Sequence, residues 1–260
     1  MIAVIGAGAM GEALMAGWIA AGTSPDEIVA VDQDTDRLAG LRERRGVRSV
    51  EVSGVSVAEV VVVAVKPHHV ATALTGIAPH LGPDAVVVSV AAGVTLARLA
   101  EVLPEGQPVI RVMPNTPALV GRGVAGLAAG PTVTPGQIAR VVAMMEAVGI
   151  CVELPESQFD ALTAISGSGP AYLFLIAEAM IEAGVHQGLG RDVATRLVNG
   201  TFAGAAAMLE EVDASATELR ERVTSPAGTT AAALRVLDER AVRAAFLAAV
   251  EACARRSSEL

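Results

Sequence analysis

Lysine is all but missing from this 260-residue chain: of 19 basic side chains, 18 are Arg and one is Lys66. Aromatics are scarce too, at 2%, which leaves no stacking platform for single-stranded nucleic acid. Acidic residues outnumber basic ones by 28 to 19, for a net charge of −9. Such a chain is not drawn to a phosphate backbone, so nucleic acid is not expected as a partner. The two cysteines, Cys151 and Cys253, are too few for a disulfide framework or a four-cysteine metal site, and they point to a reducing cytoplasm. The four His (His68, His69, His80, His186) lack metal-ligand spacing, and no metal is expected. Apolar runs such as residues 60–65 fall far short of the roughly 20 residues that span a membrane. Met1 runs into Ile2 without the basic stretch that opens a signal peptide. No membrane association is expected.

What is present is mostly small and aliphatic: hydrophobic types reach 52%, enough for a full core and too many for a disordered chain. The first half alternates short β-rich runs with helical patterns. Residues 2–5, 28–32, 60–65, 85–90 and 109–112 read as strands, and 11–21 and 36–45 as helices. Residues 123–129 and 150–154 add two strands, with a helix between them opening at Thr134-Pro135. Strands that are apolar at every position are buried on both faces, and the alternation implies a mostly parallel sheet with crossover helices. From Glu156 the pattern is helical and Ala-rich, over residues 160–184, 192–211, 215–223 and 229–257. The expected architecture is an α/β Rossmann-type N-terminal domain, residues 1–155, followed by an all-α domain, residues 156–260. A helical domain with so few large side chains has a thin core. It pairs with a second copy, or its helices fold back on the sheet domain as a monomer; the dimer is the favoured expectation.

Gly6-Ala7-Gly8-Ala9-Met10-Gly11 is a G-x-G-x-x-G run between a strand and a helix. Asp32 ends the next strand, 21 residues beyond Gly11. This is the dinucleotide-binding pattern. Gly6 permits the tight turn, Gly8 lets backbone approach a pyrophosphate, and Gly11 lets helix and strand pack closely. The free N–H groups of the helix start then face the phosphates. A carboxylate at Asp32 accepts from a ribose 2′-hydroxyl and repels a 2′-phosphate, which favours NADH over NADPH. The alternative role for Asp32 is the N-cap of the following helix, and the two roles are compatible.

Further segments resemble pyrroline-5-carboxylate reductases along essentially the whole chain. They are Ala64-Val65-Lys66-Pro67, Ala91-Ala92-Gly93-Val94-Thr95, Met113-Pro114-Asn115-Thr116-Pro117-Ala118, Ser166-Gly167-Ser168-Gly169-Pro170-Ala171-Tyr172, and Ser225-Pro226-Ala227-Gly228-Thr229-Thr230. The resemblance implies hydride transfer from NADH or NADPH to the C=N bond of L-Δ1-pyrroline-5-carboxylate, giving L-proline in the last step of proline biosynthesis. It implies a helical dimerisation domain, a homodimer, active sites shared between subunits and, in some members, decamers.

Residue by residue, Ala64, Val65, Lys66, Pro67, Ala92 and Gly93 lie at the ends of the strand runs 60–65 and 85–90, at the sheet edge where such folds bind ligands. Lys66 is assigned to cofactor binding and active-site electrostatics. Asn115 either hydrogen-bonds the nicotinamide side of the pocket or serves its own turn between two prolines. Ser225, Gly228, Thr229 and Thr230 open a helix whose N–H groups suit a carboxylate. Thr230 matches the family position next to the imine. The Gly-Pro step at Pro170 is expected to kink or restart a long helix, and Tyr172 reads as an interface packer.

Three positions depart from the family pattern. Ala227 replaces a Gly, although Ala is ill suited to positive φ. Asp213 stands for a Glu with longer reach. Asp32 occupies a position that is small or hydroxylated in members preferring NADPH. Competing readings are a reductase of another cyclic imine, a β-hydroxyacid dehydrogenase, which would need a Lys on a late helix, and a non-catalytic dinucleotide sensor.

Overall fold

The strands form because their residues have two apolar environments to enter. In the computed structural model, which describes residues 1–259, Val60–Val63 forms a strand with every side chain buried. Val60 and Val62 join one core layer with Leu14, Met15 and Trp18; Val61 and Val63 join another with Val70, Leu74 and Leu99. A sheet covered on both faces has no polar face, hence the unbroken valine run.

Eight strands make one sheet: β1 Ile2–Ile5, β2 Ile28–Val31, β3 Arg48–Ser49, β4 Val60–Val63, β5 Val86–Ser89, β6 Val109–Met113, β7 Gly123–Ala129 and β8 Gly149–Glu153. Their order is β3-β2-β1-β4-β5-β6-β7-β8. All neighbours are parallel except β6 and β7, which run antiparallel. This is the mostly parallel Rossmann-type sheet expected, with the two-residue β3 as an addition. The strand order reverses between β1 and β4, which puts a topological switch point beside the glycine loop.

The covering helices are α1 Ala9–Ala20, α2 Thr35–Arg45, α3 Val70–Ile77, α4 Leu96–Ala100 and α5 Pro135–Glu146. Several starts are dictated locally. Thr134 and Gln137 form a capping box that spans Pro135 at the first helical position. The Asp34 side chain accepts from Arg37 N at 2.9 Å and caps α2, so the N-cap is Asp34 rather than Asp32.

Packing divides the chain into Met1–Ser168 joined by the residues from Cys253, and Gly169–Ala252. The first unit extends past residue 155 because the segment beyond it is anchored to the sheet. Glu156 accepts from Leu96 N at 2.7 Å and from Arg111 Nη1 at 2.9 Å, and Phe159, which opens α6 Phe159–Leu162, is fully buried. The C-terminal residues return to the same segment. Ser257 Oγ donates to Asp160 Oδ1 at 2.7 Å, and Cys253 Sγ lies 3.3 Å from Ser168 Oγ.

The second unit holds α7 Gly169–His186, α8 Arg191–Glu211, α9 Ala216–Arg222, α10 Thr229–Glu239 and the start of α11 Val242–Ser258. One expected restart is present, and one expected helix is broken. The run from residue 160 passes through a π-helical turn, Thr163–Gly167, and restarts at Gly169 with Pro170 in its first turn, where a missing N–H costs nothing. The run from residue 229 stops at Glu239, because Ala241 adopts φ +54°. Neither Gly nor Pro marks that break.

Among the described residues of the second unit, only Ala194, Val198 and Leu219 are buried apolar side chains. Leu173, Phe174 and Leu175 of α7, Leu197 of α8 and Leu247 of α11 are all more than half exposed. Residues 156–186 are long and apolar enough to cross a membrane by length and composition, and only 6% of their most apolar window is buried. The expectation from short apolar runs is revised to that extent: the run is interrupted in sequence by Asp160 and Ser-Gly-Ser-Gly, and so escapes a search for unbroken stretches.

Candidate active site

The glycine loop is built as its spacing requires. Gly6 has φ +99°, a conformation that favours glycine, and a Cβ there would press on Ala64 and Val65. The segment after β4 thus sits directly against the turn after β1. A Cβ at Gly11 would collide with the Gly6 carbonyl oxygen. Gly8 differs: its φ of −70° suits any residue, and a Cβ there would meet nothing within 4 Å. The loop is therefore open where backbone must approach a pyrophosphate. The α1 ladder begins with Glu12 N donating to Gly8 O at 2.8 Å, so the N–H groups of Ala9, Met10 and Gly11 precede it. These residues fit a dinucleotide.

Asp32 closes the other side of the loop. Its Oδ2 accepts from Ala7 N at 2.7 Å and its Oδ1 from Asp34 N at 3.0 Å. Arg37 Nη1 lies 3.1 Å from Oδ2 and 3.4 Å from Oδ1. Burial opposes ionisation of this carboxyl. The amides of Asp34 and Ala7 and the Arg37 guanidinium outweigh it and hold the group below the ordinary carboxylate range.

Lys66 is exposed, precedes a short 3-10 turn at Pro67–His69, and makes no ion pair among the described residues. Ala92 and Gly93 form the turn after β5, Gly93 with φ +74°. Asn115 is buried and structurally engaged. Its Nδ2 donates to Ser166 O at 2.9 Å and its Oδ1 accepts from Val124 N at 2.8 Å. The amide ties the end of β6 to β7 and to the π-helical turn, a role that neither of its two readings named; one Nδ2 hydrogen is left over.

In the second unit, Gly228 N donates to Ser225 O at 3.0 Å, closing a tight turn over Pro226 and Ala227. Ala227 has φ +56°. The alanine takes a left-handed conformation that favours glycine, as the third position of a type II turn demands. Ser225 Oγ lies where a Cβ on Gly228 would stand, and Gly228 N-caps α10 without a side-chain bond. Thr230 is half-buried in the first turn of α10, and its hydroxyl has no hydrogen bond among the described residues. Thr75, Thr163, Thr195, Thr201 and Thr224 all donate to the carbonyl four residues back.

The left-handed conformation costs an alanine about 1–2 kcal/mol, and glycine gives back about 0.4–1 kcal/mol through its freer unfolded chain. Ala227→Gly is thus expected to stabilise the protein by about 0.5–1 kcal/mol, read as a higher urea midpoint at unchanged m-value. A lower midpoint would show that this turn stores no strain.

Sequence reasoning missed Arg111, in the middle of β6. It is buried, pairs with Glu156, and has its guanidinium carbon 4.5 Å from the Phe159 ring centroid. The signal was a charged residue inside an otherwise apolar strand. The Cys151 thiol is not activated as a nucleophile. Burial pushes the Cys151 thiol up to about 11, with Glu146 and Glu153 adding to the effect.

The sheet, its switch point and the open glycine loop define a class: a nicotinamide-dependent oxidoreductase with a helical second unit. Residues 1–93 match the family model for coenzyme F420-dependent NADP oxidoreductases, and residues 156–260 match that for pyrroline-5-carboxylate reductase dimerisation. A pyrroline-5-carboxylate reductase from Corynebacterium melassecola is 45% identical over all of this chain and 98% of its own. The chain belongs to the pyrroline-5-carboxylate reductase family. A solved reductase from Coxiella burnetii superposes with a TM-score of 0.95 at 37% identity, covering 99% of this chain and 97% of that one. A Plasmodium falciparum pyrroline carboxylate reductase with NADP bound gives 0.87 at 29% identity, covering 99% and 97%.

Proposed function

We propose that the chain reduces L-Δ1-pyrroline-5-carboxylate to L-proline at the expense of NAD(P)H, the last step of proline biosynthesis. The full-length likeness to named reductases carries this reading, because it includes both the cofactor loop and the Ser225–Thr230 segment. A sensor that only bound dinucleotide would have no use for the second of these.

In this reading the N–H groups of Ala9, Met10 and Gly11 receive the pyrophosphate, and Asp32 receives the adenosine ribose. The segments 64–67 and 92–93 form the rest of the cofactor edge, with Lys66 adding positive charge. Asn115 holds the end of β6 in place, and its spare N–H is available to the nicotinamide side. The first-turn N–H groups of α10, with the Ser225 hydroxyl, Gly228 and Thr229, bind the substrate carboxylate. The Thr230 hydroxyl hydrogen-bonds the ring nitrogen. The nicotinamide, when bound, supplies the hydride that adds to the C=N carbon. Protonation of the ring nitrogen makes that carbon electrophilic, so the protein's task is positioning rather than strong acid–base catalysis. Asp32 favours NADH. The enzyme works in the cytoplasm, where Cys151 and Cys253 remain thiols.

The test is oxidation of NADH and of NADPH by purified protein, with and without L-Δ1-pyrroline-5-carboxylate. Imine-dependent loss of NADH with proline as product supports the reaction and the role of Asp32. Turnover with NADPH alone would keep the reaction and discard the NADH preference. No turnover with either, by folded protein, would reopen the substrate.

The functional unit in this reading is a homodimer. The exposed leucines and Phe174 of the second unit, within a region matching a dimerisation model, support it. Sedimentation at micromolar concentration is expected to give a dimer or a decamer built from dimers. A stable, active monomer would sink the shared site.

A further inference from the structure

We infer that Arg37, resting on the Asp32 carboxylate at the outer side of the glycine loop, decides whether this chain accepts a cofactor bearing a 2′-phosphate. The inference rests on the dinucleotide reading of the Gly6–Gly11 loop and deepens it. A carboxylate offers about four acceptor positions. Those of Asp32 are taken by Ala7 N, Asp34 N and two contacts from Arg37 Nη1, at 3.1 and 3.4 Å. The two amides belong to the loop and to the start of α2, and they hold the carboxylate in place. The Arg37 contacts are the replaceable ones, because that side chain is 44% exposed on a long stem. Arg37 also pairs with Asp34, at 3.2 Å, so its guanidinium has a resting place when it leaves Asp32.

Two ligands therefore meet this pair differently. A ribose 2′-hydroxyl competes with Arg37 for Asp32: it donates to the carboxylate while the guanidinium moves aside to Asp34. A 2′-phosphate cannot use Asp32 at all. It needs a cation, and Arg37 offers a planar fork suited to bidentate phosphate contact. Arg37 thus works against the hydroxyl form and for the phosphate form. With Arg37 present, NADH is favoured but NADPH is admitted. Without it, Asp32 faces the ribose unopposed and the phosphate form is rejected.

The experiment titrates adenosine 2′,5′-bisphosphate and AMP into the wild-type protein and into Arg37→Gln and Arg37→Lys by calorimetry, with circular dichroism as the check on folding. These ligands carry only the adenosine end, so no imine turnover is involved. Arg37→Gln is expected to weaken the bisphosphate about 10-fold or more and to leave AMP unchanged or slightly tighter. Arg37→Lys is expected to recover part of the loss, since it keeps the charge but not the fork. The NADPH-to-NADH ratio of kcat/KM should fall in step. Parallel weakening of both ligands, or no change in either, overturns the role of Arg37. Wild-type binding of AMP without the bisphosphate overturns it too and leaves the dinucleotide site standing. Failure of both ligands on wild-type protein removes the site as well as the inference.

Discussion

Thr230→Ala is expected to lower kcat for imine reduction about 100-fold while NADH affinity changes by no more than about twofold. The size follows from the role proposed for the hydroxyl, which contacts the ring nitrogen as charge at that atom changes. Stability cannot account for such a loss, because alanine is the better helix former and Thr230 lies on α10. The hydroxyl is also free of local duties. The other threonines named above return their protons to the carbonyl four residues back, whereas Thr230 sits in the first turn, before such a carbonyl belongs to the helix. Thr230→Ser should retain most activity, since it keeps the hydroxyl and removes only a methyl. Steady-state kinetics with fluorescence titration of NADH separates the outcomes. Unchanged kcat in Thr230→Ala would take the residue out of the chemistry. Equal losses in kcat and cofactor affinity would recast it as a structural part of the turn.

How much of this was legible in the sequence depends on the range of the forces involved. The doubly buried strands were legible, because residues such as Val60–Val63 have no polar face to confuse the pattern. So was the glycine loop, where the positive φ of Gly6 and the close approach of Gly11 to the Gly6 carbonyl arise within a few residues. The capping box at Thr134 and Gln137 is local in the same way. Features set by distant partners were not legible. Ala241 ends α10 with φ +54° although nothing in the surrounding residues forbids a helix. Arg111 is buried because Glu156 and Phe159, far along the chain, complete its environment. Asn115 is of the same kind: the partners of its amide, Ser166 and Val124, lie 51 and 9 residues along the chain. Ala227 is the reverse case. The sequence marks it as an ill-suited residue, and the turn imposes its conformation regardless.

Gly8→Val is expected to leave the protein folded while weakening NADH and NADPH at least about 100-fold. Three glycines of one motif make different demands here. At Gly6 and Gly11 a side chain meets the protein itself: Ala64 and Val65 in one case, the Gly6 carbonyl in the other. Substitution at either would lose cofactor binding through distortion of the loop, which says little about what the loop binds. At Gly8 the backbone is in an ordinary extended conformation and the space ahead of it is open. A valine there costs the fold no more than about 1 kcal/mol, chiefly for a poorer N-cap. Its methyl groups would occupy the approach to the N–H groups of Ala9, Met10 and Gly11. Thermal unfolding and cofactor titration on the same preparation therefore decide between two roles for this glycine. A midpoint near wild type with lost binding means that Gly8 is kept clear for the pyrophosphate. Undiminished binding would mean that the dinucleotide does not cross this loop, and the roles given to Asp32 and Arg37 would fall with it.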